Sequence, residues 1–342
     1  MKNITKVGLS ALAGSLAFTA VHAGDVSISG SMIASYTKKG GQTTTGNPLG
    51  MDKELTITGS GELDNGVGVA YKQTVTDAMA YNDSELVFSD VPMLAGGTLA
   101  MTSTGSPMDA IDDKTPIAFE EANAAVGSID DVAGSNGDYG LRYTLSDMMG
   151  TGIKLDAMYV PKTGSGDSAT EKGVSGTQSA QGNEDAYEVT LTGAVPMVDG
   201  LSFGVGGAQI NKSNAETVAS SDQDQQEATA YLNYAIGAVK IGAQKSVVNA
   251  AGTGEISYIT DYYGISYAVS DNLSVSYNKI ESDKSRKGTS SAESVEQDFD
   301  SISLSYTAGG MTIGILDADA DNSSYTKDKK TSARAIQLSV AF

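Results

Sequence analysis

The side chains of this chain best suited to chemistry are carboxylates. Asp and Glu number 42 against 22 Lys and Arg, Cys is absent, and the single His is His22. His22 lies in an amino-terminal leader, so Ser-His-acid and Cys-His nucleophiles and His/Cys zinc sites are excluded from the chain that follows. Carboxylates without such partners bind hard cations, titrate or set an electric field. They crowd residues 104–138, where Asp109, Asp112, Asp113, Glu120, Glu121, Asp130 and Asp131 face only Lys114. The pairs Asp112-Asp113 and Asp130-Asp131, and the run Asp317, Asp319, Asp321, offer oxygen ligands to Ca²⁺. None has the spacing of an EF-hand loop, so solvated or divalent-bridged charge is the expectation, with no other cofactor. The glycine-rich stretch Gly204 to Gly207 lies inside a strand pattern and is no phosphate cradle.

Strands must position these groups. The chain alternates apolar and polar residues with period two from Val26 to its end. Val26, Ile28, Met32 and Tyr36 oppose Ser27, Ser29, Ser31 and Ser35; Leu141, Tyr143 and Leu145 oppose Arg142 and Thr144; Ile336, Leu338, Val340 and Phe342 oppose Gln337 and Ser339. No segment has a helical period, so the chain reads as one all-β domain. Tight turns alternate with long polar segments. The turns include Asp64-Asn65-Gly66, Pro92 to Gly97, Pro196 to Gly200 and Ala308-Gly309-Gly310. The long segments run Lys38 to Asp52, Asp77 to Ser84, Thr104 to Asp138, Pro161 to Glu184, Asn211 to Gln226, Ser246 to Gly254, Ile280 to Gln297 and Ala318 to Lys330. Counting through the alternation gives about 16 strands, enough for a closed antiparallel barrel. Lys72, Arg142, Lys154 and Lys240 fall on the polar parity. A strand Arg facing lipid at mid-depth costs roughly 2–4 kcal/mol, which places Arg142 on an inner wall.

Met1 to Ala23 reads as a secretory signal peptide: Lys2 and Lys6, an apolar run to about Ala20, then Val21-His22-Ala23 before Gly24. Its removal makes the formal net charge of −20 two units more negative, which argues against nucleic acid as a partner. No later segment approaches the roughly 18 apolar residues of a spanning helix. If the domain Gly24–Phe342 enters a membrane, it does so as strands. Tyr36, Tyr71, Tyr159 and Tyr277 sit at one end of their strands and Tyr143, Tyr234, Tyr267 and Tyr306 at the other, all on the apolar parity, as in the aromatic girdles of a membrane barrel.

Together the leader, the alternation of long and short connections, the girdles and a last strand ending on Phe342 resemble the general porins of Gram-negative outer membranes. The low aromatic, Gly- and Asp-rich style is similar to alphaproteobacterial porins. The resemblance implies a transmembrane antiparallel β-barrel with long outer loops and short periplasmic turns, trimeric, in outer-membrane lipid. It implies passive diffusion of small hydrophilic solutes and ions, and makes Phe342 the signal read by the barrel-assembly machinery. It also places the longest loop, 104–138, inside the barrel as a constriction. Ile111, Ile117, Phe119 and Val126 give that loop the apolar content of a packed segment. Asp109, Asp112, Asp113, Glu120 and Glu121 would then face Lys72, Arg142 and Lys154 across the pore. The dense arginine ladder of enteric porins is missing, so the charge balance points to weak cation selectivity. An enzyme on a barrel, of the protease or phospholipase kind, would need a His. A surface adhesin or structural barrel without an open channel is the alternative reading.

Overall fold

The computed structural model describes residues 26–43, 45–76, 81–119, 126–135, 139–163, 183–212, 224–250, 256–286 and 294–342. The signal-peptide reading of Met1 to Ala23 lies outside them. Sixteen strands follow one another: β1 (Val26–Gly41), β2 (Leu49–Glu62), β3 (Gly68–Thr76), β4 (Tyr81–Val91), β5 (Gly97–Thr102), β6 (Gly140–Leu145), β7 (Lys154–Val160), β8 (Asn183–Ala194), β9 (Leu201–Lys212), β10 (Gln225–Ile236), β11 (Val239–Asn249), β12 (Ile256–Ser270), β13 (Leu273–Arg286), β14 (Val295–Ala308), β15 (Met311–Asp321) and β16 (Thr331–Ala341). Each pairs antiparallel with its sequence neighbour, and β1 pairs with β16 to close the barrel. Closure leaves no unpaired strand edge, which a hydrocarbon medium would not tolerate.

The closing seam runs to the chain terminus. Phe342 N–H donates to Gly30 O and Gly30 N–H to Phe342 O, both at 2.9 Å. The Phe342 ring lies over Gly30, where a Cβ would come within 2.7 Å of it. The ring stays largely exposed on the outer surface. There it joins Ile28, Met32, Ile313, Ile336 and Leu338, part of an outward apolar belt with Tyr36, Tyr71, Tyr267, Tyr277 and Tyr306. This belt is what a barrel presents to lipid.

The turns fall where the sequence puts them, but the strands at one end run further. Residues 280–286, 295–297 and 318–321, which read as loop, continue β13, β14 and β15. In these extensions the acidic side chains Glu281, Asp283, Glu296, Asp319 and Asp321 alternate with Ile280, Gln297, Ala318 and Ala320, which are buried inside. The period of two persists. What inverts is which parity is apolar.

Candidate functional site

The chain between β5 and β6 turns into the barrel. Its first residues are held by Thr102, whose Oγ1 donates to Thr104 O and accepts from Thr104 N–H, both at 3.0 Å. Gly105 supplies a φ of 63°. Beyond a short 3-10 turn at Asp109–Ile111, the outgoing leg runs along the inner wall. Gln244 of β11 donates to Ile111 O at 2.9 Å and accepts from Lys114 N–H at 2.7 Å. Asn233 of β10 donates to Lys114 O at 2.6 Å and Asn278 of β13 to Pro116 O at 3.0 Å. Ala118 N–H reaches Ser276 Oγ and Phe119 N–H reaches Ser303 Oγ, each at 2.9 Å. At the far side Ile117 and Phe119 pack against a cluster that includes Tyr262, Ile280, Phe299 and Leu316.

The returning leg is held as closely. Val126 O accepts from Ser323 Oγ at 2.6 Å and from Thr331 Oγ1, and Gln297 donates to Ser128 O at 3.0 Å. Two buried carboxylates then latch its end. Glu227 Oε2 accepts from Ala133 and Gly134 N–H at 2.9 and 2.8 Å. Glu188 Oε1 accepts from Ser135 N–H at 2.6 Å and from its hydroxyl, while Oε2 accepts from Met108 N–H at 3.2 Å. Glu188 thus ties the two legs together. Such charge-assisted bonds to backbone N–H groups are stronger than neutral ones.

The loop therefore covers the wall from β8 to β16. There the inward residues Thr190, Thr229, Gln244, Ser246, Thr260 and Ser303 are all buried. On the other side, inward-facing Ser27, Ser29, Asp52, Glu54, Ser60 and Lys72 of β1 to β3 are exposed among the described residues.

Among the expected site residues, Asp109, Asp112 and Asp113 stand on the outgoing leg. Lys114 Nζ lies 3.3 Å from Asp113 Oδ1. Burial, and then the neighbouring Asp113 charge, push the Asp112 carboxyl up to about 8. Burial likewise pushes Asp131 up to about 7 against the opposing bond from Val132 N–H. Glu120 and Glu121 lie outside the described residues. Lys72 projects inward between Thr58 and Glu85 in the ladder. Arg142 and Lys154 form one cluster rather than two separate wall charges. Arg142 clasps Asp156 through Nε at 2.8 Å and Nη2 at 2.5 Å, and Lys154 Nζ reaches the same carboxylate at 2.9 Å. Arg142 Nη1 also donates to Gly105 O at 2.6 Å, pinning the base of the loop. Lys240 lines a cavity of about 430 Å³ under the outgoing leg, beside Lys114 and Asn233.

Sequence reasoning did not single out Asp156, Glu188, Glu227 or Gln244 as functional. Their only local signal is a polar residue on the inward parity, as in Lys154-Leu155-Asp156 and Tyr187-Glu188-Val189. Among the described residues one trio of carboxylates brings ligand oxygens within 4.8 Å of one another. It is Glu281, Glu296 and Asp298, on β13 and β14 and away from the loop.

No protein-family model matches the chain, and no curated protein matches it in sequence. Solved structures do match its fold. In-vitro folded OmpT, an outer-membrane protein of Vibrio cholerae, in a trimer form, is similar at a TM-score of 0.63 and 12% identity, over 94% of this chain and 100% of that one. The anion-selective porin of Comamonas acidovorans is similar at 0.62 and 14%, over 93% and 100%. The outer-membrane channel DcaP of Acinetobacter baumannii is similar at 0.64 and 13%, over 93% and 97%. The fold is the closed sixteen-stranded antiparallel barrel of outer-membrane porins.

Proposed function

We propose that the chain is an outer-membrane porin: a water-filled channel for passive diffusion of small hydrophilic solutes and ions, weakly selective for cations. The observation that carries this reading is the asymmetry of the lumen. A loop covers the inner wall from β8 to β16, while Ser27, Ser29, Asp52, Glu54, Ser60 and Lys72 on the inner wall of β1 to β3 stay exposed. A structural barrel without a channel has no need of an uncovered polar lumen.

The outward apolar belt supports membrane insertion, and the shared fold supports the outer membrane of a Gram-negative bacterium as its site. The trimer form of one fold neighbour supports a homotrimer, and the Gly- and Asp-rich composition supports kinship with alphaproteobacterial porins. Recognition of Phe342 by the assembly machinery rests on its position as an exposed ring on the closing seam. Weak cation selectivity rests on the four carboxylates Asp52, Glu54, Glu85 and Asp113 about the passage, against Lys72 and the one positive charge left over where Arg142 and Lys154 share Asp156. Reconstitution of the folded chain in a planar bilayer tests the reading. Discrete conductance steps and a reversal potential of cation sign in a salt gradient are expected; sealed bilayers would remove it.

A further inference from the structure

The wall beneath the loop carries a track of glycines. Gly206 on β9, Gly242 on β11, Gly264 on β12 and Gly314 on β15 all fall on the inward parity, beside outward Val205, Ile241, Ile265 and Ile313. None is among the glycines with positive φ, so no turn or left-handed conformation requires them. A mid-strand glycine weakens its strand and marks a bulge, a bend or a close approach by another part of the chain.

Here the close approach is the loop itself. A Cβ built on Gly206 would lie 2.7 Å from Thr190 Cγ2, 2.8 Å from Ile111 Cδ1 and 2.9 Å from Met108 Sδ; on Gly242 it would run into the Oδ1 of the anchoring Asn233 and lie 2.5 Å from Pro116 Cδ; on Gly264, 2.7 Å from Pro116 O and 2.8 Å from the Nδ2 of the anchoring Asn278; and on Gly314 it would enter the Phe119 ring. Gly242 and Gly264 are paired across β11 and β12, so Pro116 rests on a patch two strands wide with no side chains. Asn233 and Asn278 flank the patch and hold Lys114 O and Pro116 O. The amides fix where the loop lies along the wall, and the glycines fix how deeply it sits. Gly59, which faces outward, is different: a Cβ there meets nothing within 4 Å.

We propose that Gly206, Gly242, Gly264 and Gly314 are positioning residues that set the width of the channel by letting the loop recess into the wall. The inference rests on the channel reading above. The strands are held on both sides by the ladder, so a side chain at Gly242 or Gly264 displaces the Pro116 segment, together with the Asn233 or Asn278 amide that holds it, rather than the strand backbone. Since carbon atoms pack at about 3.5–4.0 Å, even one methyl requires a shift on the order of 1 Å, directed into the lumen.

The test is single-channel conductance of the full chain in planar bilayers, on barrels first shown to be folded by their heat-modifiable migration. Gly242→Ala and Gly264→Ala should each lower the open-channel conductance, and Gly264→Leu should lower it further, whereas Gly59→Ala should match the parent chain. Because the Pro116 ring meets the Gly242 position, adding Pro116→Gly to Gly242→Ala should restore part of the lost conductance. A general folding defect would not be relieved in that way. Conductance that is unchanged or raised in both inward alanine variants, beside a conducting parent, would overturn the positioning role and leave the channel reading standing. A folded parent barrel that carries no current would overturn both.

Discussion

Strand β14 obeys opposite rules in its two halves. From Ser301 to Tyr306 it presents Ile302, Leu304 and Tyr306 outward and Ser301, Ser303 and Ser305 inward; from Val295 to Asp300 it presents Glu296, Asp298 and Asp300 outward and buries Gln297 and Phe299 within. Strand β15 does the same, with Ile313 and Ile315 outside Gly314 in one half and Asp317, Asp319 and Asp321 outside Ala318 and Ala320 in the other. The pleat does not change along either strand. The medium does. In the belt the outer medium is hydrocarbon and the inner surface is polar. Beyond it the outer medium is water, and the inner face buries apolar groups against Val126 and Ile129 of the loop. Tyr277 marks the boundary, its ring on the belt and its hydroxyl donating to Asp300.

Phe299→Ala should remove the packed interior of the upper half. Phe299 is 1% exposed, and truncating a buried ring of this kind costs about 3–5 kcal/mol. Ile302→Ala, three residues along but facing lipid, leaves no cavity and should cost far less. Urea unfolding of barrels reconstituted in lipid vesicles measures both; equal losses would show that the upper half has no packed interior.

Charge sharpens the same contrast with a somewhat smaller effect. Leu304→Arg places a guanidinium on the lipid face inside the belt, between the ends marked by Tyr277 and Tyr306, where such a charge costs up to roughly 2–4 kcal/mol at the midplane. Glu296→Gln, on the same parity above the belt, should change vesicle folding little, because that side chain is exposed to water. Comparable folding yields for the two variants would put both positions in one medium and erase the boundary.

The belt half of the pattern was legible in the sequence because apolar-out alternation, turn residues and Tyr positions all agree there. The upper half reads as loop because its alternation has the opposite polarity, and Glu281-Ser282-Asp283 or Asp319-Ala320-Asp321 look like polar connections until the inward small residues form a buried face. The loop's length and its apolar content were legible too. Its anchors were not: Glu188 meets Ser135 across 53 residues and Gln244 meets Ile111 across 133, and neither bond leaves a trace in neighbouring sequence.

Those anchors give the next prediction. Glu188→Gln keeps the shape of the latch but turns one acceptor into a donor facing either Met108 N–H or Ser135 N–H, a loss of about 1–3 kcal/mol. The loss falls on the loop, not the ladder. Trypsin cleavage after Lys114 should therefore speed up in the variant while the barrel's urea midpoint moves little. Unchanged cleavage would mean that the Glu227, Gln297, Ser323 and Thr331 contacts hold the returning leg without the Glu188 latch.

The smallest effect concerns selectivity, and its sign follows from the loop carboxylates. Asp112 is pushed up to about 8 by burial first and by the Asp113 charge second, so at pH 6 it holds its proton and by pH 9 it has lost it. The outgoing leg then gains a negative charge, which raises the local concentration of cations. The reversal potential in a KCl gradient should move in the cation-selective direction between these pH values. The shift should shrink as salt rises, because charges beyond about 10 Å are screened at 0.1 M. Asp112→Asn should remove this step. Asp113→Asn should leave it in place with a lower midpoint, because the like charge that helps hold the proton on Asp112 is gone. A pH dependence untouched by Asp112→Asn would assign the titration to other carboxylates, Asp131 among them. A shift toward anions on raising the pH would mean that the charge gained does not face the passage, and the loop's part in selectivity would fall with it.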